Sequence, residues 1–225
     1  MAELLSWREE GDVVVITWDD GENRINLASM AAFHGLLDTL EAREGPLALV
    51  VTGKGKIFSN GLDLDRFAEH PDELVPAADA LQLLLGRLLV FPAYCVAAIN
   101  GHAFAGGAML AAIFDYKVMR EDRGYWCLNE AEIGIPLSPQ MTAAVTARLP
   151  RPTAATAMLT ARRYDAPSAL AAGIIDATAA ESEVLSVAIE AARVVATKDR
   201  RVVANHKRQL SGEAAAACGW TTPRA

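Results

Sequence analysis

Apolar residues along the chain gather into short, nearly unbroken runs, separated by longer segments in which they recur at helical spacing. Leu4–Arg8 and Val13–Trp18 read as two strands around a Glu-Gly-Asp turn at Glu10 to Asp12. Asn26 or Ser29 can cap a helix that runs to about Arg43, with Phe33, Leu36, Leu37 and Leu40 on one face. Leu47–Thr52 reads as a short buried strand ending at a Gly-Lys-Gly-Lys turn, Gly53 to Lys56. Leu64–Glu69 reads as a helical turn, and Asp72 or Pro76 opens a long apolar helix that ends near Phe91 and Pro92.

The same alternation continues downstream. Tyr94–Ile99 is a buried strand, Gly106–Ile113 a helix of small residues, and Asp115–Met119 a returning strand before the polar turn Arg120–Gly124. Tyr125–Leu128 is extended, and Asn129–Pro136 reads as a loop carrying Glu130 and Glu132. Ser138–Leu149 and Pro152–Thr160 are helices, Ser168–Ala172 is a helical turn closed by Gly173, and Ile174–Ala177 is a short strand. Glu181–Thr197 and Asp199–Leu210 complete the set as helices, with Ala214–Ala217 and Thr221–Ala225 read as a tail. Strands alternating with helices predict an α/β class with mostly parallel pairing.

Composition narrows the partners more than the fold. With 225 residues, 52% hydrophobic and 22% charged, the chain suits one large domain with a substantial core. Its net charge of −7 argues against a general nucleic-acid binder, which needs a basic face. The longest apolar run, Leu81 to Phe91, is interrupted by Gln82, Gly86 and Arg87 and falls short of the about 20 residues that span a bilayer. The N-terminal residues lack a basic region followed by an apolar stretch, so the expectation is a soluble, cytoplasmic protein with no membrane attachment. Cys95, Cys127 and Cys218 show no CxxC or metal-type spacing, which points to reduced thiols and no metal site.

Chemistry concentrates in two glycine-bearing stretches, Phe58–Leu64 (Phe-Ser-Asn-Gly-Leu-Asp-Leu) and Asn100–Met109 (Asn-Gly-His-Ala-Phe-Ala-Gly-Gly-Ala-Met). Each ends a hydrophobic run in a glycine turn and then starts a helix-like segment. Such turns can aim two backbone N–H groups at one oxygen, the arrangement that stabilises charge developing on a carbonyl. Gly61, Gly106 and Gly107 permit the close backbone approach this needs; serving tight turns is the simpler role open to each stretch alone.

Taken together with Asn23–Asn26 (Asn-Arg-Ile-Asn), Asn129–Gly134 (Asn-Glu-Ala-Glu-Ile-Gly) and Ala169–Asp176, these stretches resemble, in order and over roughly Val13 to Lys207, the enoyl-CoA hydratase/isomerase (crotonase) superfamily. The resemblance implies a spiral of ββα units over residues 1–180, with a helical C-terminal region over 181–225 in the same domain. It also implies an acyl-CoA ligand, a homotrimer or dimer of trimers, and no cofactor apart from the coenzyme A of the substrate. Carried over by position, the oxyanion donors are the N–H groups of Leu62 and Gly106. Asn23, Arg24, Ile25, Asn60, Gly61, Gly107 and Met109 fall in the substrate-binding segments, and Arg24, Lys54 and Lys56 are cations that can meet phosphate or simply lie on the surface.

One departure from the family pattern bears on the reaction. Hydratases of this family place one glutamate just after the glycine run and another in a Pro-Glu pair downstream, so that one activates water while the other delivers a proton. Here the first position is Met109 and the second is Glu130, preceded by Asn129. One carboxylate suffices to move a double bond, and the resemblance is greatest to Δ3,Δ2-enoyl-CoA isomerases, with Glu130 as the proton shuttle. Hydration or other thioester chemistry, with Glu132 or a water supplementing Glu130, and a non-catalytic acyl-CoA-binding role are the alternatives. Asp63 and Asp65 read as helix caps, Asp115 as structural and His102 as packing; Leu81, Leu84, Leu85 and Leu88 are either acyl-pocket or core residues. Ser59 lacks a nucleophile elbow, and Gly53–Lys56 lacks P-loop spacing.

Overall fold

The computed structural model describes residues 4–221. A hairpin of β1 (Leu5–Glu10) and β2 (Val13–Trp18) pairs antiparallel, and every later strand pairing is parallel. Helix α1 (Leu27–Glu41) starts at Asn26, whose side chain accepts from Ser29 N–H while Ser29 Oγ accepts from Asn26 N–H. The two candidate caps therefore act together as a capping box.

The chain then winds through repeated turns. Each places one strand in a large sheet and the next in a small one: β3 (Ala48–Gly53) then β4 (Ile57–Ser59), β5 (Tyr94–Ile99) then β6 (His102–Phe104), β7 (Tyr116–Arg120) then β8 (Trp126–Cys127). Helices follow each pair: α2 (Leu64–Glu69) and α3 (Leu74–Val90) after the first, α4 (Gly106–Ala112) after the second, α5 (Glu130–Ile133) after the third. After α6 (Pro139–Thr146), α7 (Arg151–Thr160) and α8 (Ala166–Ala171), β9 (Ala177–Ala179) joins the large sheet, giving the order β1-β2-β3-β5-β7-β9 beside β4-β6-β8. This is the ββα spiral.

Both faces of the inner strands β2, β3, β5 and β7 are buried, which is why these strands read as largely apolar runs, whereas the edge strand β1 is mostly exposed. Val14, Ile16, Leu49, Val51, Cys95 and Ala97 face the main core; Val13, Val15, Val50, Val96 and Val118 face a second cluster. That second cluster is closed by α9 (Val184–Ala196) through Val184, Ala188, Ile189 and Ala192. Helix α10 (Arg200–Ala217) packs on the other side, against α3 and α6.

Several expected boundaries move. The 129–136 segment is not a plain loop: Glu130–Ile133 form a helical turn, ended by Gly134 at φ 74°. The last strand is Ala177–Ala179 rather than Ile174–Ala177, because its ladder to β7 begins at Ala177 opposite Val118, while Ile174 and Ile175 are buried in the connection before it. The expected alanine tail at 214–217 is instead the end of α10, where Ala215 and Cys218 seat closely against Gly86 of α3. Residues 222–225 of the expected tail lie outside the described residues.

A buried ion cluster fastens α10 to the sheet. Lys207 Nζ donates to Asp115 Oδ2 at 2.5 Å and to Ala93 O at 3.0 Å, while Arg148 reaches Asp115 Oδ1 at 2.6 Å. Asp115 Oδ2 also accepts from Cys95 N–H at 2.9 Å, so the structural role expected of Asp115 is what its contacts describe. Removing one member of a buried pair strands the other's charge. Lys207→Met is expected to lower unfolding free energy by about 3 kcal/mol, read as a drop in the denaturant midpoint at unchanged slope.

Candidate active site

Two turns carry backbone amides to one place. Gly61 adopts φ 77°, and a β-carbon there would sit 2.9 Å from Ala105 Cβ and 3.2 Å from the Gly106 nitrogen. The 58–64 segment and the start of α4 can therefore touch because residue 61 has no side chain. Behind them, a β-carbon on Gly107 would lie 2.3 Å from Ser59 O, so this glycine sets the depth at which α4 seats on β4.

The local hydrogen bonds orient the donors. Ile25 N–H donates to Gly61 O at 2.8 Å and Asp63 N–H donates to Ile25 O at 3.0 Å, a one-residue parallel bridge from which Leu62 N–H faces away. Ala105, at φ 48° and ψ −124°, holds a backbone conformation that residues with a β-carbon rarely adopt. That turn leaves Gly106 N–H as the first amide of α4, without an acceptor in its own helix. Among the described residues, neither Leu62 N–H nor Gly106 N–H has a hydrogen-bond acceptor.

Both donors border a cavity of about 750 Å³. Its floor is Phe104–Gly106 and Met109, one wall comes from α2 and α3, and the other from Asn129, Glu130 and the 133–141 segment. Glu130 is 6% exposed, and its Oε2 has no hydrogen-bond partner among the described residues. Burial among apolar groups pushes its carboxyl up to about 7, because the charged form loses hydration with no cation to compensate.

Other carboxylates near the cavity are engaged. Asp63 caps α2 by accepting from Arg66 N–H, whereas Asp65, expected as a cap, pairs instead with Arg24 at 3.0 Å and is largely exposed. Asp79 accepts from Gln82, which in turn accepts from Ser138 at 2.7 Å and so links α3 to α6. Glu132 lies outside the cavity wall, exposed and 3.7 Å from Arg163. Residues two apart on a helical turn point to different sides, which is why Glu132 does not join Glu130.

The sequence-derived site residues thus divide into two groups. Arg24, Asn60, Leu62, Gly106, Met109 and Glu130 meet on the cavity. Asn23, Ile25, Gly61 and Gly107 stand behind its wall. Asn23, fully buried at φ 52°, donates to Ile57 O and Phe58 O and accepts from Asp20 N–H, pinning β4 in place. Of the α3 leucines, Leu81 reaches the cavity while Leu84, Leu85 and Leu88 belong to the core. Lys54 pairs with Asp19 at 2.5 Å, away from the cavity. His102 stacks on Phe104 at 5.5 Å, and burial lowers its pKa, consistent with packing.

Sequence reasoning missed Ala105, whose strained turn has no signature in an alanine. It also missed the wall from Ile133 to Met141, for which Gly134 was an available signal, since a glycine after Glu-Ala-Glu-Ile marks a helix end. Among the described residues no three His, Cys, Asp or Glu side chains gather to hold a metal, and no helix is long and apolar enough to cross a membrane.

Comparison with known proteins agrees with this geometry. Residues 8–218 match the model of the enoyl-CoA hydratase/isomerase family. Enoyl-CoA delta isomerase 2, peroxisomal, of Arabidopsis thaliana is 31% identical over 191 residues, covering 80% of this chain and 79% of its own. A putative enoyl-CoA hydratase of Thermus thermophilus is 36% identical over 197 residues, covering 84% and 76%. A solved Mycobacterium tuberculosis structure described as an enoyl-CoA isomerase superimposes with a TM-score of 0.88 at 30% identity, over 97% of this chain and 96% of its own. With the fold, the paired amides and the matched length all in agreement, the chain belongs to the enoyl-CoA hydratase/isomerase family.

Proposed function

We propose that this enzyme moves the double bond of a 3-enoyl-CoA thioester to give the 2-enoyl-CoA, with Glu130 as the single acid–base group. The observation that carries the reading is the pairing of one buried, unpartnered carboxylate with Met109, a side chain that cannot transfer a proton, on the same cavity. Glu130 takes a proton from C2, and the electron pair moves onto the thioester oxygen as a dienolate. Leu62 N–H and Gly106 N–H donate to that oxygen; losing one such donor raises a barrier by roughly 2.7–4 kcal/mol. The dienolate collapses, Glu130 returns the proton at C4, and the double bond lies between C2 and C3. The carboxylate ends as it began.

Each site residue has a part in this proposal. Gly61, Gly107, Asn23 and Ile25 hold the shape of the hole, while Arg24 and Asn60 border the entrance where the coenzyme A portion lies. Met109 and Leu81 contact the acyl chain. Coenzyme A comes with the substrate and no other cofactor takes part. Assembly as a homotrimer or dimer of trimers, in the cytoplasm, completes the proposal; light scattering on the purified protein reads the assembly.

The alternative is hydration, which relatives described as hydratases keep in view. It calls for a second proton-transfer group, and Glu132 faces away from the cavity. Incubation with trans-3- and trans-2-enoyl-CoA separates the two: interconversion of the isomers is expected, whereas formation of 3-hydroxyacyl-CoA would overturn the isomerase assignment. Glu130→Gln is expected to lower kcat by at least 10²-fold while acyl-CoA binding persists; undiminished turnover would remove Glu130 from the mechanism.

The elevated pKa gives two pH signatures. The base must be ionised, so kcat/KM for the free enzyme is expected to rise with pH through about 7 and then level off. Stability runs the other way. Between the ordinary value of 4.5 and about 7 the folded state binds more proton than the unfolded state, so stability falls as pH rises across that window. Glu130→Gln removes this cost and is expected to stabilise the protein at pH 8 by on the order of 3 kcal/mol, with little effect at pH 4. Thermal unfolding at both pH values checks it.

A further inference from the structure

Asparagine is among the strongest helix N-caps, because its side-chain oxygen accepts from the first free amides of the helix. Every other helix here that begins at Asn, Asp or Ser uses that bond: Asn26, Asp63, Ser138, Asp165 and Asp199 each accept from a backbone N–H of the turn they start. Asn129, at the N-cap of α5, does not. Its backbone sits at φ −93° and ψ 15°, outside the extended conformation typical of capping residues, and its side chain borders the cavity. There its Oδ1 is buried and has no hydrogen-bond partner among the described residues.

An amide oxygen sealed without a partner costs stability. The next residue, Glu130, has the same defect at Oε2, on the same cavity. Both orphans are acceptors, so no hydrogen bond can join them while Glu130 is ionised. A single proton on the carboxyl changes that, because one O–H donated to Asn129 Oδ1 satisfies the pair. Resting on the isomerase reading above, we propose that Asn129 is a positioning residue for Glu130: its carboxamide oxygen accepts the O–H of the protonated carboxyl and steadies the acid between its two transfers. In that reading the amides of Leu62 and Gly106 serve the thioester oxygen, and C2, C3 and C4 present only C–H bonds. The carboxyl O–H is then the one new donor that the reaction creates on this wall. The proton still leaves C2 and arrives at C4; Asn129 gains and loses a hydrogen bond, and none of its covalent bonds changes.

The surroundings leave the carboxyl few other influences. Helices α4 and α6 bring no titratable side chain. Across the cavity Arg24 is paired with Asp65, and Asp79 accepts from Gln82. On β8, burial pushes the Cys127 thiol up to about 11, so it stays neutral. Outside the wall, Glu132 and Arg163 lie 3.7 Å apart. Helix α7 contributes only Arg151, at the opposite end from Met158 and Leu159, which share a groove with Glu130.

A hydrogen bond to the neutral acid raises its pKa, so losing the acceptor lowers it. Carbon-13 NMR of the full chain labelled at the glutamate carboxyl reads this titration without turnover, the Glu130 signal being identified by its loss in Glu130→Gln. Asn129→Leu keeps water out of the space vacated by the carboxamide and is expected to lower the Glu130 midpoint by about one pH unit. Asn129→Asp sets a second carboxylate there and is expected to raise the midpoint by at least about one unit. The midpoint of kcat/KM is expected to move in the same direction in each variant, with kcat of Asn129→Leu reduced by roughly three- to tenfold. A purely structural Asn129 would lower the melting temperature and leave both midpoints in place, which overturns the assignment. An upward shift in Asn129→Leu overturns it as well. Titrations that shift as expected in a protein that moves no double bond would uphold the Asn129–Glu130 pairing and sink the isomerase reading.

Discussion

The site depends on a contact in which two backbones approach with no side chain between them. Gly61 lies against Ala105 and Gly106 so closely that one additional carbon would overlap the first and crowd the second. Two amides from segments more than 40 residues apart can therefore border one point in space. Neither segment could hold this position alone. The 58–64 turn is pinned by Asn23 and by the bridge from Ile25, while α4 is seated on β4 through Gly107. The parallel stacking of β4 and β6 then fixes one turn of the spiral relative to the next. A rigid sheet behind each amide is what allows donors to be aimed before any ligand arrives, and preorganised donors of this kind need no reorganisation during reaction.

Glu130 follows the opposite logic, being buried where its charged form loses hydration. Its carboxyl has neither cation nor hydrogen-bond donor to offset the loss of water. Such cost is characteristic of a group kept for its chemistry. The short α5 turn that carries it, closed at Gly134, presents Glu130 inward and Glu132 outward, so adjacent acids of one motif have opposite surroundings.

Much of this was legible in the sequence, for identifiable reasons. Long buried strands such as Ala48–Gly53 and Tyr94–Ile99 announce themselves as unbroken apolar runs, and the glycines at 61, 106 and 107 mark places where backbone approaches backbone. The small sheet was not legible. β4, β6 and β8 are two or three residues long, too short for any alternation to register. The α10 extension through Ala214–Ala217 was read as a tail because alanines carry no amphipathic signal, although their helix propensity is the highest. The far cavity wall escaped notice because Ile135–Met141 reaches the site through tertiary packing, held to α3 by the Gln82–Ser138 hydrogen bond.

The salt cluster at Lys207 joins residues 92 positions apart in the chain, Lys207 and Asp115. Helix α10 also packs across α3 and α6, two of the helices that flank the cavity. The spiral through β7 therefore contains only part of what holds the two walls, since the brace across α3 and α6 comes from α10. The amides of Leu62 and Gly106 belong to the spiral itself, whereas the helices around the cleft are braced by an element that follows it. The shape of the cleft is thus a property of contacts between distant parts of the chain, not of the glycine turns alone.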